Sequence, residues 1–118
     1  MITTLAFVAL PSKNITAARR FYEEVLGLKM SHNFMDKWIE YDLGDTALAV
    51  TEADAEHPAP ATGATVALEI KGLTEFVAKL KAQGVRFSLD ITETPVCRVA
   101  TIHDPDGNPL MLHELKPR

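Results

Sequence analysis

The segment His103-Asp104-Pro105-Asp106-Gly107-Asn108-Pro109-Leu110-Met111-Leu112-His113-Glu114 holds a turn between two apolar runs. Asp104, Pro105 and Gly107 favour a type I turn, because proline presets φ and glycine accepts a left-handed exit. The runs on either side, 99–102 and 110–115, predict two antiparallel strands. Alternate residues of a strand share a face, so Leu110, Leu112 and Glu114 are predicted to lie together.

Before this hairpin, the sequence repeats a pattern from its first half. At a constant offset of 58 positions, Val66-Ala67-Leu68, Lys71 and Thr74 repeat Val8-Ala9-Leu10, Lys13 and Thr16. A repeat that contains several elements indicates an internal duplication of a mixed unit rather than a solenoid. The sequence therefore predicts two modules, about 4–52 and about 64–115, joined by a linker rich in alanine and proline at about 53–63.

Each half is predicted to contain a strand, a helix and three further strands. Asn14 favours the start of the first helix and Gly27 its end, with apolar residues at spacings of three and four between them. The second helix is predicted over 73–83, and Gly84 ends it. These elements predict an α+β fold in which two tandem βαβββ modules form a cupped mixed β-sheet with helices on the outer face, as a single domain over 1–118.

One helix covers only one face of a four-stranded sheet, so each module is predicted to have a covered face and an open face. The larger aliphatic residues should pack under the helix, and the small and mixed residues between them are predicted on the open face: Phe7, Ala9, Ala47, Ala49, Thr51, Thr65, Ala67 and Glu69. Alternation also predicts Trp38, Glu40, Thr101 and His103 there. We place Glu114 on the open face, which brings Leu110 and Leu112 with it and puts Met111 and His113 behind. The open faces are expected to form a cupped pocket.

The composition is that of an ordinary globular domain, with 118 residues of which 47% are hydrophobic and 24% charged. The net charge of −4 and the scattered basic residues argue against nucleic-acid binding. The single cysteine, Cys97, favours a reducing compartment. The amino terminus has no long apolar run, so neither a membrane span nor a signal peptide is predicted. A cytoplasmic protein is expected.

Two motifs carry a resemblance to a known family. The first is Asn14-x-x-Ala17-Ala18-Arg19-Arg20-Phe21-Tyr22-x-x-Val25-Leu26-Gly27-Leu28, and the second is Asp104-Pro105-Asp106-Gly107-Asn108 followed by Glu114. With the paired modules, they resemble the vicinal oxygen chelate superfamily, which includes glyoxalase I, extradiol dioxygenases, and fosfomycin and bleomycin resistance proteins. The resemblance covers the whole chain. It is specific for the fold and weak for the reaction, because one fold hosts many sites.

Members of that family with chemistry usually hold a divalent metal through one ligand from each of four strands. The resemblance places these four positions at Phe7, Ala49, Thr65 and Glu114. Only Glu114 carries a suitable donor, and zinc or iron needs about three protein ligands. No metal and no other cofactor is therefore predicted. A displaced site that uses His103 and Glu114 with Glu40 or Glu69 is the alternative.

The predicted function is that of a binding protein of the bleomycin resistance type, which holds a small organic ligand with a planar or cationic part. The predicted ligand-binding residues are Phe7, Trp38, Glu40, Ala49, Thr65, Glu69, Thr101 and Leu112.

Two other functions remain open. One is an enzyme, either a glyoxalase-like lyase or isomerase or a dioxygenase-like catalyst, with an altered metal site or with metal-free acid–base chemistry by Glu114 and His103. In the metal-free case, the pKa of a desolvated Glu114 is expected to rise. The other is a module that binds a partner protein. A homodimer is expected, since small proteins that resemble this family commonly pair.

Overall fold

The structure, a computed structural model, describes residues 1–117. The chain divides into two compact units. Unit one contains Met1–Ala61 and Pro105–Asn108, and unit two contains Thr62–Asp104 and the chain from Pro109 onward. Each unit holds one four-stranded mixed sheet and its helix, so the predicted α+β fold of two tandem βαβββ modules is confirmed.

Module one lies in unit one. Its elements are β1 (Phe7–Ser12), α1 (Ile15–Arg19) continuing as a π-helical segment (Arg20–Val25), β2 (Met30–Phe34), β3 (Trp38–Asp42) and β4 (Ala47–Glu52). The strand order is β1-β4-β3-β2, and only the β1–β4 pair is parallel.

The first helix starts and ends at the predicted residues. Asn14 has an extended φ of −147°, and its side chain accepts a hydrogen bond from the Ala17 N–H at 3.1 Å. At the other end, Gly27 has a φ of +77°. This left-handed conformation, which glycine adopts without steric cost, lets the Leu28 N–H reach back to the Tyr22 carbonyl at 2.9 Å.

Module two lies in unit two and repeats the arrangement. Its elements are β5 (Val66–Glu69), α2 (Leu73–Ala82), β6 (Arg86–Glu93), β7 (Cys97–His103) and β8 (Pro109–Leu115). The strand order is β5-β8-β7-β6, again with only the first pair parallel. The two modules therefore share one topology, as the repeated sequence pattern predicts.

Each module has the predicted covered face. In module one, the apolar strand residues at most 4% exposed on this face are Leu10, Ile39, Tyr41, Leu48 and Val50. In module two, the wholly buried residues are Ala100, Ile102, Leu110 and Leu112 on the strands, together with Leu73 and Leu80 on α2. Burial of these apolar side chains is the main stabilising contribution to each module.

The predicted orientation of β8 is wrong. Leu110, Leu112 and Glu114 do share a face, but it is the covered one: both leucines are wholly buried, and Glu114 contacts the start of α2. Met111 and His113 consequently lie on the open face. The two leucines decide the orientation of the strand. Exposing both of them to water would cost far more free energy than placing one carboxylate on the covered face, where it has hydrogen-bond partners.

The turn after β7 groups with unit one. Within that unit, the side chain of Asn108, wholly buried, donates to the Pro11 carbonyl at 2.9 Å and accepts from the Ala61 N–H at 2.7 Å. Asp106 accepts from the Lys13 N–H at 2.7 Å, and Gly107 has the positive φ, +84°, that the turn motif predicts. The polar residues of this turn therefore bind backbone groups.

No helix within residues 1–117 is long and apolar enough to cross a membrane.

Candidate functional site

The open face of module one is built from alternate residues of four strands. The register places Phe7 beside Ala47, Ala9 beside Ala49, and Ala49 beside Glu40. Trp38 lies beside Thr51, and His32 beside Glu40. This face therefore carries the side chains of Phe7, Trp38 and Glu40 around a centre of two alanines, as the sequence predicts.

An aromatic pair spans the middle of this face. The rings of Phe7 and Trp38 meet edge to face, with centroids 5.2 Å apart and planes at 89°. Phe7 is on β1 and Trp38 is on β3, and Ala49 lies on β4 between these two strands. The rings therefore meet over this small residue, which is wholly buried. Phe7 remains 47% exposed. The pair leaves aromatic surface available for a ligand.

A carboxylate is attached to the aromatic pair. The indole Nε1–H of Trp38 donates to Glu40 Oε2 at 2.6 Å, and Glu40 Oε1 lies 3.9 Å from His32 Nδ1. Beside them is an open cavity of about 240 Å³, whose lining includes His32, Glu40, Asp42 and Asp45. The three carboxylates of this lining make this part of the open face attractive to cations.

A second, larger hollow of about 610 Å³ lies on the helical side of module one. Its charged groups are already paired: Arg19 contacts Glu23 at 2.8 Å and Asp36 at 3.7 Å, and Arg20 contacts Glu24 at 3.5 Å. The mutual pairing of these charges leaves little for a ligand to neutralise, so the open face is the better candidate site.

The open face of module two has different residues. Glu69 and His113 are direct partners in the β5–β8 register, and His113 Nδ1 lies 2.6 Å from Glu69 Oε1. The other oxygen of Glu69 accepts the Leu115 N–H at 2.9 Å. These bonds, that from Leu115 first and that from His113 second, lower the pKa of the Glu69 carboxyl below its usual value.

The remaining predicted residues of module two are spread over this sheet. Thr65 immediately precedes β5 and is exposed. Thr101 lies beside Met111, and His103 shares the face of Thr101 by strand alternation. Leu112, predicted as a ligand-binding residue, is wholly buried on the covered face.

Glu114 and His103 do not form the predicted acid–base pair, because they lie on opposite faces of the sheet. Glu114 Oε2 accepts the N–H groups of Gly72 and Leu73 at 2.9 and 3.2 Å, and Oε1 accepts a hydrogen bond from Arg98. The Arg98 bond first, and then the two backbone bonds, lower the pKa of the Glu114 carboxyl. The expected rise of this pKa is therefore wrong, since the carboxylate is held in its charged form.

The residues present do not fit the metal that the resemblance implies. Phe7 and Ala49 offer no donor atom, and Thr65 offers only a neutral hydroxyl. Glu114 faces α2, where it binds backbone N–H groups and Arg98. Over residues 1–117, no three His, Cys, Asp or Glu side chains are arranged to hold a metal ion.

Four residues of the open faces were not among the predicted site residues. Asp42 follows Glu40 by strand alternation, so the pattern that identified Glu40 could have found it. His113 and Met111 would follow from the buried leucines of β8. His32 carries no such signal, because β2 is exposed at every position and only its pairing with β3 brings the imidazole to Glu40.

Solved structures with this fold include proteins with different described roles. TnmS3, an antibiotic binding protein from Streptomyces sp. CB03234, is 23% identical with a TM-score of 0.83, and the match covers 98% of each chain. Lactoylglutathione lyase from Agrobacterium tumefaciens is 22% identical with a TM-score of 0.75 over 96% of this chain and 94% of that one. These likenesses show the fold alone.

A third structure, from Sphaerobacter thermophilus DSM 20745, is described as a member of the glyoxalase, bleomycin resistance protein and dioxygenase superfamily. It is 20% identical, with a TM-score of 0.81 over 96% of this chain and 98% of that chain. No curated protein is a significant match by sequence. The sequence profile of the Glyoxalase/Bleomycin resistance protein/Dioxygenase superfamily matches residues 4–112. This chain therefore belongs to the Glyoxalase/Bleomycin resistance protein/Dioxygenase superfamily.

Proposed function

We propose that this protein binds a small organic molecule with a planar, positively charged part on the open face of module one, without a metal and without turnover. The observation that carries the proposal is the Phe7–Trp38 pair with Glu40 hydrogen-bonded to it. TnmS3, a structure of the same fold, is described as an antibiotic binding protein, which agrees with a binding role for a member of this family.

The aromatic pair supplies the surface for a planar group. An edge-to-face pair holds two rings in fixed positions, so a ligand need not order them on binding. The small side chain of Ala49 lets the two rings meet over it, where it is wholly buried, so the ligand-accessible surface is the outer side of the ring pair. A flat ring system can therefore contact Phe7, which is 47% exposed, and the indole of Trp38.

The carboxylates supply the preference for a cation. Glu40 is oriented by Trp38, and Asp42 and Asp45 line the adjoining cavity. A cation beside an aromatic ring is attracted both by the ring and by neighbouring carboxylates, so the two effects add. An anion of the same shape should be rejected by the same charges.

Proflavine, a planar tricyclic cation, is a suitable probe, with 9-anthracenecarboxylate as an anion of similar ring size. We expect saturable binding of proflavine, measured by its fluorescence anisotropy, and much weaker binding of the anion. Phe7→Ala and Glu40→Gln should each weaken proflavine binding by about tenfold, the equivalent of one cation–π contact or one ion pair. Binding should weaken as salt is added.

The control variants are Met111→Ala, on the open face of module two, and Glu52→Gln, an exposed carboxylate of module one outside the cavity. Both should bind proflavine as the unmodified protein does. Equal affinity for the anion, or unchanged affinity in Phe7→Ala and Glu40→Gln, would contradict the proposal. Loss of binding after treatment with a chelator would contradict its metal-free part.

We also propose a homodimer in the cytoplasm. Unit one exposes large apolar side chains, among them Leu5 at 62%, Phe34 at 57% and Met35 at 85%, and a contact between two copies that covers any of them would remove apolar surface from water. Sedimentation equilibrium at micromolar concentration should give twice the mass of the chain, and a monomer would refute the dimer. The cytoplasmic location is supported by the single cysteine, and the protein should partition with the soluble cytoplasmic fraction of its cell.

A further inference from the structure

We propose that Glu69 and His113 form a second functional site, a proton-accepting dyad that binds weakly acidic phenols on the open face of module two. The site uses none of the residues proposed to bind a ligand on module one. It consists of a register pair on neighbouring strands β5 and β8, with the two side chains 2.6 Å apart.

The contact defines which ring nitrogen of His113 carries the proton. An ionised carboxylate only accepts hydrogen bonds, so Nδ1 must be the donor to Glu69. In the neutral imidazole, Nε2 then holds a lone pair and is the acceptor. Among residues 1–117, the structure shows no hydrogen bond to Nε2 of His113. The side chain is 29% exposed, so a ligand can reach it.

Glu69 is held in the position that this role requires. Its Oε2 accepts the Leu115 N–H at 2.9 Å, which leaves Oε1 directed at the imidazole. A carboxylate in this position stabilises the imidazolium that forms when Nε2 takes a proton. The other titratable groups nearby are Glu114, which faces α2 but acts on Glu69 through its charge, and His103, which lies four residues from Val99, the β7 partner of His113.

The chemistry is a reversible proton transfer. The phenol O–H bond breaks as an Nε2–H bond forms, which leaves a phenolate hydrogen-bonded to an imidazolium, and the imidazolium remains bonded to Glu69 through Nδ1. No electron acceptor or other reactant is needed. Phenols whose acidity is increased by an electron-withdrawing group suit this site, because their O–H is a strong donor to the lone pair of Nε2 and the phenolate that forms accepts a charge-assisted hydrogen bond.

The probe is 4-nitrophenol, whose phenolate absorbs visible light and whose phenol does not. At a pH one unit below its own pKa, roughly one molecule in ten is ionised in free solution. We expect the protein to raise this fraction in a saturable manner. Glu69→Gln, which keeps an acceptor for the Leu115 N–H, and His113→Gln should each lower the affinity by about tenfold or more, as expected for loss of a charged hydrogen bond.

The matched control is His57→Gln. His57 also lies beside a carboxylate, with Nδ1 3.3 Å from Asp54, but this pair is in the exposed linker. The variant should behave as the unmodified protein does, and an equal loss in His57→Gln would mean that any exposed histidine suffices. Phe7→Ala should also leave the signal unchanged. Loss of the phenolate signal in Phe7→Ala would place the phenol on module one and overturn the proposed site on module two. It would not decide whether proflavine binds to module one.

A second measurement needs no variant. Nitrogen-15 NMR of the imidazole side chains reports which nitrogen of each histidine is protonated. We expect Nδ1–H and an unprotonated Nε2 in the neutral form of His113, and a change at Nε2 when 4-nitrophenol is added. The opposite tautomer, or no response at Nε2, would overturn the proposal.

Discussion

The central row of each open face shows how the two modules differ. In module one it contains Ala9, Ala49 and Glu40, and in module two Ala67, Met111 and Thr101. Leu48 and Leu110 mark equivalent positions, because they pair with Val8 and Val66 of the repeated sequence. An alanine at position 49 makes space for the two aromatic rings of module one, whereas the methionine at position 111 fills the same place in module two.

The covered faces of the two modules are alike in being apolar, with leucine and isoleucine on the strands of each. Each must bury apolar surface to keep its module folded. The open faces carry no such requirement, and they hold an aromatic pair with carboxylates in one module and an imidazole–carboxylate pair in the other. The comparison shows that two modules of one topology share an apolar covered face while their open faces carry different polar and aromatic groups.

The two helices also start differently. Asn14 supplies the N-cap of α1 from the residue directly before the helix. Gly72 precedes α2 and has no side chain to do this. Glu114, on the distant strand β8, binds the first N–H groups of α2 instead. A carboxylate at a helix N-terminus is stabilised by the helix dipole as well as by these hydrogen bonds.

The difference between the two faces of β8 is tested by replacing neighbouring residues. Leu112→Ala should lower the free energy of unfolding by about 2–5 kcal/mol, because it leaves a cavity under α2. Met111→Ala, on the open face of the same strand, should cost at most about 1 kcal/mol. Urea denaturation measures both. Equal losses would contradict the assignment of Leu112 to the covered face.

The distant cap of α2 should be visible in the pH dependence of stability. The pKa of Glu114 is lowered from 4.5 by Arg98 and the two backbone N–H groups. Its contribution is therefore present above about pH 4.5 and is lost as the pH falls through the folded-state pKa. Glu114→Gln should have a lower free energy of unfolding than the unmodified protein at pH 7. This difference in free energy should become smaller towards pH 3.

The control for this effect is Glu52→Gln, since Glu52 holds the position in module one that corresponds to Glu114 and is exposed. Urea unfolding at several pH values compares the two variants. If the difference in unfolding free energy between Glu114→Gln and the unmodified protein stays constant with pH, Glu114 is not the group responsible. The same conclusion follows if Glu52→Gln shows an equal change with pH.

The local cap of α1 should have a smaller effect. Asn14→Ala removes the acceptor of one N–H, that of Ala17, and should lower the free energy of unfolding by about 1 kcal/mol. Asn14→Ser keeps a capping oxygen and should lower the free energy of unfolding by only about a few tenths of a kcal/mol. If thermal or urea unfolding shows the serine variant to be as unstable as the alanine variant, the side-chain cap is not what stabilises this helix start.

Much of this protein follows from local pattern in the sequence. The repeat, the glycines at helix ends and the period-two alternation predicted the two modules, and Phe7, Ala9, Trp38 and Glu40 were placed on the face where the structure has them. These features depend on residues close together in the chain, where sterics and burial act within a few positions.

The tertiary structure decided the features that join distant strands. Alternation groups Leu110, Leu112 and Glu114 but does not say which face they occupy. The answer depends on the packing of the two leucines, wholly buried, on the covered face. This packing also brings Glu114 to the N–H of Leu73, 41 residues away in the sequence. Glu69 and His113 meet only because β5 lies beside β8, a pairing 44 residues apart. Such contacts depend on strand order and register, which the packing of whole elements determines.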